Sequence, residues 1–544
     1  MTLPLVERGY VLVADRKVHY RRFGCGPVVI LLHGSPQASR AVTPLAEFLA
    51  TQGFCAIAAD TPGYGLSEPL PDAASASTQS YAAAVIAFAD ALGIQRFALY
   101  GFHTGATIAC TAAACYPERI AALGCDGLPA WTPAERHDIL QHYLPPFVPQ
   151  WDGSHLCWLW ARLEEQVIFF PWHSAQESSR MTLDLSPLPA LHANAMDLLQ
   201  ADDQYRHAYR AAFTFAAEDW VPQITVPHLY ACMAADPLGA HYQRPVYQHS
   251  HTELFSSLPA MWQAFSQHFA ATPGDTLRHA LAGNLKYGSL TAGWAGPQRL
   301  ALAWCGTLHQ PPKQALVLLH AAGDNKAAFQ SLLPLISKDR TVIAVDLPSH
   351  GDSEPRTAAD CPTNTEQFAK EVAEACTALG LTDYSVAGYG FGAYIAAELV
   401  KQGYAKAGLN LGVKAIPAEY RSQWSMLYAP DLTAQWDGAH LLRAFRVARW
   451  ERLYFPWFVR KHSHKLPAIA SLEPSSIHQR AVSLLQAGVA WQYAVAAEAT
   501  AVCLSNQVIR GFSSVETAHD MDNIQLPLAE QAPLAWLTYL KTLA

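Results

Sequence analysis

Residues 99–106 read LYGFHTGA. An apolar run followed by glycine, any residue, a polar residue, any residue and glycine describes a sharp strand-to-helix turn. Such a turn lifts its central side chain clear of a sheet, where it can attack a substrate. The side chain lifted here is the imidazole of His103. Neutral imidazole can attack an acyl carbon, giving an acyl-imidazole that water hydrolyses readily. It can equally take a proton from water or from an acidic C–H or O–H, because its ordinary pKa suits neutral pH.

A residue so placed needs a sheet beneath it. Short buried runs, VVILL, CAIAA, RFALYG and later HLYACM, alternate with amphipathic stretches such as TPLAEFLATQ and QSYAAAVIAFADALG. That switch of period predicts an α/β fold, a mainly parallel sheet flanked by helices. A Trp-rich and His-rich stretch from about 130 to 215 interrupts the rhythm and reads as a helical lid above the strand ends, where such sheets place ligands.

The chain then repeats itself about 286 positions on, which decides the architecture. VVILLHGSP returns as LVLLHAAGD, AIAADTPGYGLSEP as VIAVDLPSHGDSEP, LYGFHTGA as VAGYGFGA and QWDGSHL as QWDGAHL, in the same order. Two homologous domains are expected, 1–270 and 285–544, the second with its own lid at about 415–495. Pairing of the two halves within one chain, as in a homodimer, is the expected partner arrangement.

The totals exclude several classes. With 544 residues, 51% hydrophobic and 15% charged, the chain has ample material for cores. A net charge of -8 offers no basic footprint for nucleic acid. The start lacks a signal-peptide core, and the longest apolar stretches are broken by glycine and too short for a membrane span, so a cytoplasmic protein is expected. The 11 cysteines form no C-x-x-C pair and read as reduced thiols. No P-loop appears and no G-x-G-x-x-G follows a strand, so neither a nucleotide cofactor nor any other is expected.

Together LLHGSP, DTPGYGLSE, GFHTGA, the insertion beginning near Pro129, ADPL and a late histidine resemble the α/β-hydrolase fold superfamily, once in each half. The G-x-H-T-G elbow with a downstream DGSHL is similar to a bacterial subgroup of that superfamily. The resemblance implies roles for residues of the first half. His103 stands at the nucleophile position, and Thr104 and Ser35 offer backbone N–H groups for an oxyanion hole beside His33-Gly34. Asp236 is the implied acid, with Asp126 as the alternative. The implied base is His251 or its neighbour His249. His251 is preferred because it precedes Leu258-Pro259 by the spacing that His519 keeps from Leu526-Pro527. His249, His251 and His241 lack the companion spacing of a metal site, so no metal is expected.

The second half serves as an internal control. Its elbow, GYGFG, centres on Gly390, and AVCLSNQVIR, read as its late strand, offers no aspartate. That half cannot run triad chemistry. Asp152, His155 and Trp172 persist there as Asp437, His440 and Trp457, which points to a shared role in fixing the lid. Residues polar only in the first half, His103, Thr104, Asp126, Asp236 and His173, gain weight by the same comparison. His33, Trp151, Trp172 and His173 are candidate pocket residues.

The expected activity is hydrolysis of a small to medium hydrophobic ester, lactone, thioester or β-dicarbonyl compound. Proton abstraction or C–C cleavage at the same site is one alternative, and a catalytically idle binding or scaffold protein is another.

Overall fold

The computed structural model describes residues 6–278, 285–287, 290–306, 315–337, 340–413, 416–466, 471–508 and 513–514. Contacts divide the chain into two units, Met1–Val148 with Trp158–Leu285, and Pro149–Cys157 with Lys286–Ala544. The short stretch Pro149–Cys157 therefore falls with the second unit, although a boundary at 270 would assign it to the first.

Up to Leu277 the strands are β1 (Val6–Val13), β2 (Arg16–Phe23), β3 (Gly26–Leu32), β4 (Cys55–Ala59), β5 (Phe97–Phe102), β6 (Ile120–Asp126), β7 (His228–Met233), β8 (Thr252–Phe255) and β9 (Thr276–Leu277). The helices over that span are α1 (Thr43–Thr51), α2 (Thr78–Ala91), α3 (Thr104–Cys115), α4 (Pro133–His142), α5 (Ser154–Ile168), α6 (Leu188–Ala201), α7 (Tyr205–Thr214), α8 (Ala217–Trp220) and α9 (Leu258–Ala271). The sheet runs β1-β2-β4-β3-β5-β6-β7-β8, with β9 beside β3. β1, β2 and β4 pair antiparallel, and from β4 through β3 to β8 the pairing is parallel.

Every residue of VVILL except the last is fully buried, and all of CAIAA is buried, as central parallel strands covered on both faces require. Leu45 and Leu49 of α1 and Phe265 and Phe269 of α9 pack on one face, against Leu31, Ala58 and Ala231. Each such side chain contributes about 1.5–3 kcal/mol by leaving water. Helices α4 to α8 all fall between β6 and β7. The first of them is fixed at its start by Thr132 and Glu135, which satisfy each other's backbone N–H groups in a capping box.

The second unit repeats the plan with β10 (Leu285–Tyr287), β11 (Leu290–Ala295), β12 (Leu300–Cys305), β13 (Ala315–Leu319), β14 (Val342–Val345), β15 (Tyr384–Tyr389), β16 (Ala407–Gly412) and β17 (Ser513–Ser514). Its helices are α10 (Leu333–Ile336), α11 (Thr365–Ala378), α12 (Phe391–Lys401), α13 (Trp424–Tyr428), α14 (Ala439–Trp450), α15 (Pro474–Ala487) and α16 (Val489–Val508). The order β12-β14-β13-β15-β16-β17 repeats the crossing of β3 and β4.

One expectation is corrected here. AVCLSNQV belongs to α16 and not to a strand. Its short apolar run cannot be told from a strand by period alone, but it continues an alanine-rich run of strong helix formers. The strand beside β16 is β17, and Ser513 pairs with Leu409 as His228 pairs with Leu123. β17 thus holds in its sheet the place that β7 holds in the first. His519 itself, with Leu526-Pro527, lies outside the described residues. Among the described residues no helix is long and apolar enough to cross a membrane.

Candidate active site

β5 ends at Phe102 and α3 begins at Thr104, leaving His103 at the corner with φ 48° and ψ −104°. A non-glycine residue held in such a region costs about 1–3 kcal/mol, which the surroundings must offset. The His103 N–H donates to the Asp126 carbonyl at 2.9 Å, and the Ala106 N–H donates to the His103 carbonyl at 2.9 Å. Gly105 lets α3 start against β3, since a Cβ there would fall 2.4 Å from the Leu32 carbonyl oxygen.

The imidazole is gripped by the carboxylate that follows β7. His103 Nε2 lies 2.7 Å from Asp236 Oδ2. The other oxygen, Asp236 Oδ1, accepts the Leu238 N–H at 2.9 Å, so the carboxylate is fixed by the turn it caps. Gly127 makes room for the ring: a Cβ there would lie 2.4 Å from His103 Cδ2 and 2.8 Å from Nε2. The Phe102 ring stacks on the imidazole, with ring centroids 3.9 Å apart. With Nε2–H donated to Asp236, the lone pair resides on Nδ1, and the side chain remains 34% exposed.

Electrostatics favour this pairing. Burial works to lower the His103 pKa, but the Asp236 charge and hydrogen bond, with a further push from Asp126, leave it above the ordinary imidazole value. Burial likewise works to raise Asp236, yet His103 and the Leu238 N–H hold it below the usual carboxylate range.

A second carboxyl closes the group. Asp126, at the end of β6, is buried and accepts the Tyr100 hydroxyl at 2.8 Å. Burial pushes it up to about 7, helped by the charge of Asp236 and opposed by His103 and Tyr100. His103, Asp236 and Asp126 therefore cluster at the carboxyl ends of β5, β6 and β7 and influence one another's charge.

The loop that carries Ser35 follows β3. Thr104 is the first residue of α3, and its N–H is among those a helix start leaves without an intrahelical partner. Ser35 is held by its hydroxyl, 2.6 Å from that of Tyr64, which donates to the Tyr205 carbonyl at 2.6 Å. His33 has a different task from the pocket role expected of it. Its Nδ1 donates to the Gly34 carbonyl at 2.9 Å and its Nε2 accepts the Thr61 N–H at 3.0 Å, so both nitrogens brace the loop. His320 of the second unit makes the same two bonds, to Ala321 and Leu347, which marks the histidine as scaffold.

The expected base does not join the set. His251 immediately precedes β8, at the entering edge of the sheet, and its carbonyl accepts the Tyr230 N–H at 3.0 Å. The strand pairing carries β8 from that edge toward the elbow, so the side chain stands at the wrong end. His249 lies exposed in the turn before it. The loop after β8 is Ser256-Ser257 and holds no imidazole.

Of the other candidates, Trp151 is 45% exposed, belongs to the second unit and lies under the Arg449 guanidinium. Trp172 is buried, donating its indole N–H to the Tyr143 carbonyl at 3.2 Å, and packs with Trp131, Phe213 and Leu238 in an aromatic core. Leu238 links that core to the turn capped by Asp236. His173 meets the rings of Tyr143 and Trp172 edge-on and lies beside Asp138 and His142. Sequence reasoning passed over Tyr100, Phe102 and Gly127. The signal for Gly127 was available, because Val413 stands at its place in the half whose elbow has no ring.

In the second unit Gly390 adopts φ 53° and ψ −129°, and its N–H donates to Gly412, the counterpart of Asp126, at 2.8 Å. The corner survives there without imidazole and without the buried carboxyl.

Comparison with known proteins agrees with the topology. Residues 27–150 match a family described as alpha/beta hydrolase fold, and residues 316–532 match one described as alpha/beta hydrolase family. The chain is 30% identical over 119 residues to a bifunctional epoxide hydrolase 2 of Sus scrofa, covering 22% of this chain and 21% of that protein. It is 35% identical over 107 residues to epoxide hydrolase 3 of Siraitia grosvenorii, covering 20% and 34%. The match thus spans from about a fifth to a third of these curated relatives. Among solved structures, epoxide hydrolase A of Mycobacterium thermoresistibile aligns at 16% identity and a TM-score of 0.41, over 50% of this chain and 100% of that one.

Proposed function

The chain is a tandem of two α/β-hydrolase-fold domains, and from that premise we propose that the first is a hydrolase in which the His103–Asp236 dyad activates water. The carrying observation is the 2.7 Å contact between His103 Nε2 and Asp236 Oδ2. It leaves Nδ1 as the reacting nitrogen. Nδ1 is flanked by the ring carbon that bears Cβ, so a water molecule approaches it more freely than an acyl carbon does.

In the proposed cycle Nδ1 takes a proton from water while the water oxygen bonds to the substrate carbonyl carbon. The Asp236 carboxylate holds the tautomer and stabilises the imidazolium that forms. Backbone N–H groups of Thr104 and Ser35 face the developing oxyanion. When the carbonyl re-forms, the leaving oxygen or sulfur departs with the proton returned by His103. The lid core of Trp131, Phe213 and Leu238 beside the dyad suits a small to medium hydrophobic ester, lactone or thioester. Epoxides enter the same set because relatives bear that name, with water opening the ring in place of the acyl step.

A second reading rests on Asp126. A carboxyl pushed up to about 7 beside an imidazole gives two proton carriers of unlike environment, suited to abstraction next to a carbonyl without hydrolysis. Incubating the enzyme with ester, thioester, lactone, epoxide and β-dicarbonyl panels in H₂¹⁸O separates the two. Incorporation of one labelled oxygen into product, with no adduct on His103 by mass spectrometry, is expected. Turnover without label would overturn water activation, and an acylated His103 would replace it with covalent catalysis.

A further inference from the structure

Outside the dyad, one cluster of side chains in the first unit has the composition of a metal site. Asp138 and His142 stand at i and i+4 on α4, and His173 reaches them from the turn that follows α5. Their donor atoms all lie within 4.8 Å of one another. Asp138 offers one oxygen to each ring: Oδ1 is 3.1 Å from His142 Nδ1, and Oδ2 is 3.5 Å from His173 Nε2. The two imidazole centroids are 5.4 Å apart.

Two observations set this cluster apart from an ordinary helical ion pair. His173 Nε2 is buried and makes no hydrogen bond, although a buried polar atom left so is costly. The duplicated half also lacks the whole set. There Trp457 donates to the Tyr428 carbonyl at 2.9 Å as Trp172 donates to that of Tyr143, which fixes the correspondence. Counting back from Tyr428 places Leu427 opposite His142 and Gln423 opposite Asp138, while Phe458 stands opposite His173. All three donors are replaced together, and Phe458 packs on Trp424 instead.

We propose that Asp138, His142 and His173 bind a divalent late first-row transition ion of the zinc type. Two imidazoles and a carboxylate are the donor set such borderline ions prefer over calcium or magnesium. Tetrahedral bonds of about 2.0 Å place donors roughly 3.3 Å apart, so the side chains close by about an ångström on binding. Three protein donors leave one position to water. The ion would clip the end of α4 to the turn carrying Trp172, and so fasten the lid core; no step of the proposed hydrolysis passes through it.

The test uses the full chain stripped with chelator and titrated with zinc against a chromophoric competitor, with cobalt(II) absorption as a second readout. The expected result is one ion per chain at micromolar affinity or tighter, a tetrahedral cobalt spectrum, and a zinc-dependent rise in Tm. His173→Phe, the residue the second half itself uses, should weaken binding by about 10–100-fold, and the exposed Asp138→Asn should do the same. Replacing His249 and His251 together by alanine should leave it unchanged. Absence of stoichiometric binding by the wild type, or equal binding by Asp138→Asn, would overturn the proposal.

Discussion

His103 Nε2 and Asp236 Oδ2 meet at 2.7 Å, so the carboxylate after β7 grips the elbow side chain itself. The sequence allows His103 to be nucleophile or base, with a second imidazole near the domain end; the structure pairs His103 with Asp236 and places no second imidazole beside them. The proposed mechanism accordingly asks for no imidazole in the loop after β8, which is Ser256-Ser257.

The first consequence concerns pH. As the proposed base, His103 would act only when neutral, so kcat/KM should rise with pH through an apparent pKa above the ordinary imidazole value. Removing the Asp236 charge leaves burial dominant, which lowers the imidazole pKa. Asp236→Asn should therefore move the rising limb to lower pH while lowering its plateau by about 10²-fold or more. A pH–rate profile of both proteins checks this. Stability runs the other way. The stabilisation from a raised folded-state imidazole is fully present below its unfolded pKa and fades as pH rises through the folded value.

Asp126 carries a separate stability signature. Its folded pKa, pushed up to about 7, lies above that of an unfolded aspartate, so the folded state loses stability between the unfolded value and neutrality. Asp126→Asn keeps an acceptor for the Tyr100 hydroxyl and removes that loss. Thermal melts should show the variant gaining Tm relative to wild type at about pH 8 and little or nothing at about pH 4.

His251→Ala should leave kcat and KM within about twofold of wild type, because the side chain stands at the entering edge of the sheet. A loss of about 10²-fold would restore it as the base and displace the dyad account. The comparison needs only steady-state rates on a turned-over substrate.

Filling the space beside the ring gives a further check. Gly127→Ala places a methyl 2.4 Å from His103 Cδ2 at φ 68°, so the imidazole must leave Asp236 or the backbone must shift. Activity should fall by about 10²-fold with Tm lowered, and the NMR signature of the His103–Asp236 proton should disappear. Val413, at the matching place of the second half, does not share the left-handed backbone of Gly127, so the glycine goes with the elbow that carries a ring.

Much of this was legible in the sequence. Runs such as VVILL, the elbow and the repeat are local patterns, and Asp236 announced itself by following a late apolar run. What failed depended on register. His251 and His249 are near Asp236 in the chain, but only strand pairing shows that they enter β8 while the site lies where β7 leaves. AVCLSNQV was misread because a short apolar run fits either a strand or a buried helix, and α16 settles it by length. Trp151 and Trp172 were aromatic enough for a pocket, yet one lies in the other unit and the other is packed. The trio of Asp138, His142 and His173 lies on α4 and in the turn after α5, so no spacing rule could assemble it; the unequal pair His173 and Phe458 was its one trace.

The central claim is that His103 is the working base of the first domain. The most direct measurement is kcat/KM for His103→Ala on any substrate the wild type turns over, with and without added imidazole. The account predicts a loss of about 10²–10⁴-fold, partial rescue by imidazole, and a cooperative melt at a lowered Tm, showing that the variant is folded. Full retained activity in His103→Ala would contradict it.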